Sequence, residues 1–271
     1  MTSADGETAA QLALEWRGGA TERRFAQARP NLDAMPWHTF DLAAFAPDDP
    51  GLLAAREVWT NGVFTEYASA AAFSSLSVAL LQAQAPVDLA AVAADFAVDE
   101  LAHVTLVARL VMAMGGATPF VTDLSQLAPK PIADSPRLRA AELAVKISCV
   151  GEALSLPALS AWHRGAGHPL VRAVLDRLRH DEGPHAAIGH WYLELVAPSF
   201  TVGEREFLGK IASDAVRVYR PLWQGAAGER LIAGKHGPER YAAYMQRAVD
   251  ERIAAKLARH AISVDRDVLS L

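Results

Sequence analysis

Asp99-Glu100-Leu101-Ala102-His103 and Asp181-Glu182-Gly183-Pro184-His185 are two copies of one pattern, and no other feature constrains the fold of this chain as strongly. Residues three apart on a helix face the same way, so each Glu-x-x-His offers a carboxylate and an imidazole to one point. Each pattern follows, at similar spacing, a glutamate isolated in an otherwise uncharged stretch. Glu66 is the only charged residue from Val58 to Val87, and Glu152 the only one from Ile147 to Trp162. Burying an ionised carboxylate without a partner costs several kcal/mol or forces it to stay protonated. For either glutamate alone, protonation or an arginine partner is the simpler account. Four glutamates and two histidines in this repeated order instead predict a site for two metal ions, with Ser69, Ala70, Gly151 and Ala153 small enough to leave room for them.

Asp99 and Asp181 each precede a glutamate of the pattern by one position, about 100° around the helix. They are expected beside the cluster. A metal-binding histidine commonly donates its second ring N–H to a carboxylate, which fixes its tautomer. The expected pairing runs across the bundle, Asp99 to His185 and Asp181 to His103.

A buried site of this kind needs a sizeable core, and a chain of 271 residues with 51% hydrophobic content can supply one. A single helical domain, 1–271, is the simplest organisation. The net charge of −5 offers no basic field for a phosphate backbone, which disfavours nucleic acid as a partner. The lone cysteine, Cys149, excludes an intramolecular disulfide and any cysteine-cluster metal site and agrees with a reducing cytoplasm. Residues 1–20 lack the basic-then-apolar order of a signal peptide. The apolar stretch from Val58 to Val87 contains Ser, Thr, Asn, Gln and Glu66, so it reads as a helix buried in protein, and no membrane span is expected.

Along the chain, prolines punctuate residues 1–50, which read as a surface leader, and Asp48-Asp49-Pro50 reads as a helix start. A first long helix is expected from about Leu52 to Gln84, with Asn61-Gly62 as a weak spot. A second follows Pro86 and ends at Gly115-Gly116. Ala117 to Ser135 is a crossover, long for a connection inside a compact domain. A third helix is expected from Pro136 to His163, bent by Pro157 just past Glu152, and a fourth from Pro169 towards Pro198. Residues 52–198 thus form a four-helix metal-binding bundle with one long crossover. Additional helices over 201–263 fall near Val202–Gln224 and Glu239–His260. Strand signals are nearly absent. Gly183-Pro184 predicts a kink or π-bulge between Glu182 and His185.

Other chemistry-bearing residues have plainer readings. Cys149 is a small apolar residue, and Glu142 with Lys146 is an ion pair four residues apart. His163, His168, His190 and His236 are expected at helix ends or on polar faces. Trp191, Tyr192 and Trp223 are expected to pack. Tyr67 and Ser155 flank the proposed ligands and could touch a substrate.

Glu66, Asp99-Glu100-x-x-His103, Glu152 and Asp181-Glu182-x-x-His185, in that order, resemble the ferritin-like di-iron carboxylate superfamily. The resemblance covers residues 52–198 and implies an all-α, ferritin-like four-helix bundle with extra C-terminal helices. It also implies Glu66, Glu100, His103, Glu152, Glu182 and His185 as metal ligands. The metals would be two Fe ions cycling between Fe2+ and Fe3+, with Mn or a mixed Mn/Fe pair as the alternative, reacting with O2. Val107, four residues after His103, stands where ribonucleotide reductase small subunits carry a radical tyrosine. Leu178 stands where arylamine N-oxygenases carry a seventh ligand, with His180 on a different face. Bacterioferritins are much shorter. The expectation is a di-iron oxygenase or oxidase acting on a small organic substrate. No Rossmann fingerprint or iron–sulfur cysteine set is present, so an external reductase or ferredoxin is expected, and a homodimer is left open. A ferroxidase, a manganese catalase and a structural protein with a relict site are the rival readings.

Overall fold

The computed structural model describes residues 9–224 and 238–269, and most of these are helical. In chain order the elements are β1 (Ala9–Gln11), α1 (Gly19–Ala28), α2 (Pro50–Gln82), α3 (Val87–Ala113), β2 (Val121–Asp123) and α4 (Pro136–Ala144). A π-helical segment, Val145–Glu152, joins α4 to α5 (Ala153–Gly165) without a break, and α6 (Pro169–Val196) and α7 (Val202–Tyr219) follow. After α8 (Pro221–Gln224), α9 (Pro238–Ala248) continues through a second π segment, Val249–Ala254, into α10 (Ala255–Ala258).

Local chemistry sets the boundaries of the long helices. α2, α4 and α6 each begin with a proline, whose missing N–H costs nothing in the first turn. Each is capped by the side chain before it: Asp49 accepts from the Leu52 N–H, Ser135 from Leu138 and His168 from Leu170. Thr201 and Glu204 form a reciprocal capping box on α7. α3 stops where Gly115 and Gly116 take φ values of 99° and 104°, a region that side chains other than glycine's rarely permit.

α2 packs along α3, and α6 packs along the π segment and α5. Contacts of α2 with α4 and of α3 with α6 close the two pairs into a four-sided bundle. The second pair follows the first after the crossover that carries β2. α7 lies against the outside of the π segment, and α9 against α5. α2 and the continuous helix Pro136–Gly165 are long and apolar enough to cross a membrane by length and composition alone.

The structure refines or corrects five expectations. The leader is not merely wrapped on the surface: β1 pairs antiparallel with β2 of the crossover, and Phe25, Met35, Trp37, Phe40 and Phe45 pack on a core cluster. α2 runs through Asn61-Gly62 unbroken. The π-bulge expected between Glu182 and His185 is absent, since α6 is α-helical through Gly183-Pro184; the π turns lie in the neighbouring helix, in the segment that ends at Glu152. Pro157 is accommodated inside α5. The helix starting at Val202 ends at Tyr219 and a separate short helix, α8, begins at Pro221, because the proline has no N–H with which to continue the hydrogen-bond ladder.

The interior divides into two apolar clusters. One contains Trp59, Val63, Leu106, Val107, Leu110, Leu170, Val174 and Leu178. The other contains Phe73, Leu76, Phe96, Cys149, Val150, Ile188 and Tyr192. In α2, α3 and α6 the residues singled out in the sequence fall between members of the two, so a polar layer separates them.

Candidate metal centre

That layer is built from four directions. Glu66 comes from α2, Glu100 and His103 from α3, Glu152 from the last position of the π segment, and Glu182 and His185 from α6. Their side chains converge in two sets of four. Glu66, Glu100, His103 and Glu182 form one, and Glu100, Glu152, Glu182 and His185 the other, with the ligand atoms of each set within 4.8 Å of one another. Glu100 and Glu182 belong to both.

The distances suit cations. Two donors about 2.1 Å from one ion lie roughly 3.0 Å apart at a right angle and roughly 3.4 Å apart at a tetrahedral angle. His103 Nδ1 lies 3.4 Å from Glu100 Oε2, 3.5 Å from Glu66 Oε2 and 3.7 Å from Glu182 Oε1. His185 Nδ1 lies 2.9 Å from Glu100 Oε1 and 3.4 Å from Glu182 Oε2. Glu100 and Glu182 are each 1% exposed. Both Glu100 oxygens, Glu182 Oε2 and both Nδ1 atoms are buried with no hydrogen-bond partner among the described residues. Orphaned donors and acceptors of this kind are rare in a folded interior, and a pair of cations would satisfy all of them. The residues present therefore fit a dinuclear metal group.

The electrostatics fit it as well. Burial by itself would lower the pKa of both imidazoles, yet Asp181, Glu100 and Glu66 hold His103 well above its ordinary value. Asp99, Glu100 and Glu182 likewise push His185 up to about 12. Burial raises Glu152 well above the usual carboxylate range, and the Glu182 and Glu100 carboxylates beside it add to the effect. Without metal, protons neutralise the layer.

Behind each imidazole stands an aspartate, and behind each aspartate an arginine. Asp181 Oδ2 lies 3.2 Å from His103 Nε2 and 2.6 Å from Arg177 Nε. Asp99 Oδ2 lies 3.6 Å from His185 Nε2, while its Oδ1 pairs with Arg29 Nε at 2.5 Å. Burial works against ionisation of Asp181, but hydrogen bonds from His103 and Arg177 bring its pKa to about 2. Burial works against ionisation of Asp99 too, but the neighbouring His185 ring and the Arg29 charge lower its pKa. With the His103 Nε2 hydrogen-bonded to Asp181 and the His185 Nε2 facing Asp99, each ring turns Nδ1 towards the carboxylates. Phe73 and Phe96 fix the His185 ring from the sides, with ring centroids 5.1 and 4.3 Å away.

Reading the sequence missed both arginines. Arg177 could have been found as the i,i+4 partner of Asp181. Arg29 lies in the leader, and nothing in its surroundings marks it. Ser148 was also missed: its hydroxyl donates to the His185 carbonyl at 2.7 Å and accepts from the Gly189 N–H at 2.9 Å.

The remaining candidates lie elsewhere. Glu142 is fully buried, accepts from the N–H groups of Ile132 and Ala133 and pairs with Lys146 at 2.9 Å, anchoring the end of the crossover. Cys149 is buried, and burial pushes its thiol pKa up. Tyr67 packs against the apolar cluster on the His103 side, and Ser155 is half-buried on α5. His163 faces Asp176, His168 caps α6 and His190 contacts His260. His236 lies outside the described residues. Tyr192 and Trp223 are buried, whereas Trp191 is 41% exposed. No protein-family model and no curated protein sequence matches this chain.

Proposed function

We propose that this chain is a ferritin-like, non-haem di-iron oxidoreductase, a cytoplasmic enzyme that uses O2 to oxidise a small organic substrate. One observation carries the reading: two four-donor sets share Glu100 and Glu182. Shared carboxylates are how a protein holds two cations side by side. Glu66, Glu100, His103 and Glu182 would hold one iron, and Glu100, Glu152, Glu182 and His185 the other. Oxygen and nitrogen donors with no sulfur suit iron or manganese. Two ferrous ions held there would each supply one electron to dioxygen. The residues around them do the rest. Asp181 accepts the Nε2–H of His103 and Asp99 stands on the Nε2 side of His185, so that both rings keep Nδ1 directed at the cluster. Arg29 and Arg177 keep those aspartates ionised. The apolar clusters on either side exclude water, and we read the Glu66 side, where alone of the six donors a ligand is only partly buried, as the side from which small molecules would enter. Restoring the ferrous state requires an external reductase or ferredoxin. α2 and the Pro136–Gly165 helix are read as bundle helices rather than membrane spans, because they carry Glu66 and Glu152 to this layer.

Anaerobic titration with ferrous iron, followed by rapid mixing with oxygen, tests the reading. Saturation at about two irons per chain, the capacity of one such bundle site, with a single round of oxidation until reductant is added, is expected. Failure to bind iron would overturn it. So would oxidation of many irons per chain, which is ferroxidase behaviour, or peroxide disproportionation by the manganese-loaded protein without reductant.

A further inference from the structure

α6 presents a second polar surface on a different stripe from Glu182 and His185. Ala187, His190, Trp191 and Glu194 follow one another at i, i+3, i+4 and i+7. With Arg205 of α7 and with Lys256, Arg259 and His260 they line a cleft of about 540 Å³. Three permanent cations, Arg205, Lys256 and Arg259, face a single acid, Glu194.

The cations of this cleft are unlike the arginines that are tied up in ion pairs elsewhere in the described residues. Arg217 pairs with Asp214, Asp265 and Asp267, Arg137 with Glu204, and Arg177 with Asp181. Arg205, Lys256 and Arg259 have no ion pair among the described residues; Arg205 donates only to the Ala197 carbonyl, at 2.8 Å. The helix end beside them does not neutralise them, because the carbonyls of Leu257 and Ala258 are taken by the N–H groups of His260, Ala261 and Ile262. The His190 and His260 rings stack at 17° with Nδ1 of the first 3.3 Å from Nε2 of the second, and His190 Nε2 is buried without a partner. Burial, then His260, Lys256 and Arg259, lower the pKa of His190 to about 4, so its ring is a neutral hydrogen-bonding group.

We propose that this cleft binds a small organic oxyanion, whose carboxylate or phosphate is held by Arg205, Lys256 and Arg259 and whose planar or apolar body lies against Trp191. A concave surface focuses the field of its charges, and this one is positive on a chain of net charge −5. Guanidinium groups match carboxylate and phosphate oxygens with paired donors. The exposed Trp191 ring supplies a flat apolar wall at the same stripe. The cleft's size falls within the range of about 300–1,000 Å³ usual for small-molecule sites. The proposal stands independently of the metal centre.

Calorimetric titration of the full chain at low ionic strength, with inorganic phosphate, adenosine 5′-monophosphate and benzoate as probes, tests it. Saturable binding of at least one probe with a Kd below about 1 mM is expected. R259Q and K256Q, changes at the protein surface, should each weaken it by about tenfold, as loss of a charged hydrogen bond does. Preference for the nucleotide identifies a phosphate source, and preference for benzoate a carboxylate source. W191F should weaken both of these and leave inorganic phosphate unaffected. No saturable binding by any probe, or binding unchanged in both R259Q and K256Q, would overturn the proposal.

Discussion

Glu100 and Glu182 belong to both donor sets, whereas Glu66 and Glu152 belong to one each, and this decides what removing each does. E182A should abolish binding of both ions, while E66A should leave about one per chain, since the second set keeps all its donors. Metal analysis after anaerobic loading distinguishes the two, and equal losses would show that the carboxylate is not shared. The pH dependence has a definite sign. His103 and His185 have raised pKa values, and Glu152 is held protonated, so around neutral pH all three carry protons in the metal-free protein. A cation must displace those protons. Lower pH favours the protonated, metal-free form, and apparent affinity should therefore climb from about pH 6 to pH 8 with proton release into a weakly buffered indicator solution. An affinity that stays flat over this range would mean the groups are not ligands. These residues were legible in the sequence because metal chemistry restricts donor types and the helical period restricts their spacing. Arg29 was not, because its partner Asp99 lies far along the chain and only tertiary packing brings them together.

The helices themselves were largely legible, since capping residues, prolines and the Gly115-Gly116 stop are local signals. The π segment was not. Proline and glycine at 183–184 pointed to α6, but a lost N–H and a small residue can be absorbed within an α-helix. The irregularity arose instead where two helices come too close for regular turns. A Cβ at Gly189 would sit 2.7 Å from the Ala144 carbonyl oxygen and 2.7 Å from Cys149 Sγ, so α6 meets the α4–π junction backbone against side chain. At that crossing the Ser148 hydroxyl bridges the His185 carbonyl and the Gly189 N–H, two groups that a regular helix bonds to each other. The wider π turns let both the Ala140, Ala141 and Ala144 face and Glu152 point inward. G189A should destabilise the metal-free protein by about 1–3 kcal/mol through overpacking. S148A should cost within about 1 kcal/mol, because α6 can then close its own hydrogen bond. Urea unfolding of both variants gives the order, and the reverse order would show that the hydroxyl bridge, not the close approach, holds the crossing together.

Across the whole molecule, the leader and the division of the core were the parts the sequence could not show. The leader's aromatic residues follow no helical or strand period, so their packing onto the Trp59–Leu110 cluster leaves no pattern to read. Through Arg29 the leader also reaches Asp99, and through it His185. The two apolar clusters meet across a layer that buries Glu100, Glu152, Glu182, His103 and His185. In the metal-free protein that layer is the weak point, because buried ionisable groups are stabilised only by their partners and by protonation. A pair of cations bound to the native layer and not to the unfolded chain would turn it into a junction between the clusters. Linkage sets the size of the effect: free metal at a hundred times its Kd stabilises by about 2.7 kcal/mol per site. The urea midpoint of the loaded protein should therefore move up with metal concentration, and the shift should vanish in E182A, which leaves both clusters intact. A midpoint indifferent to iron and manganese would mean that the layer is held by its protons and aspartates alone, and that the two clusters need no metal to stay joined.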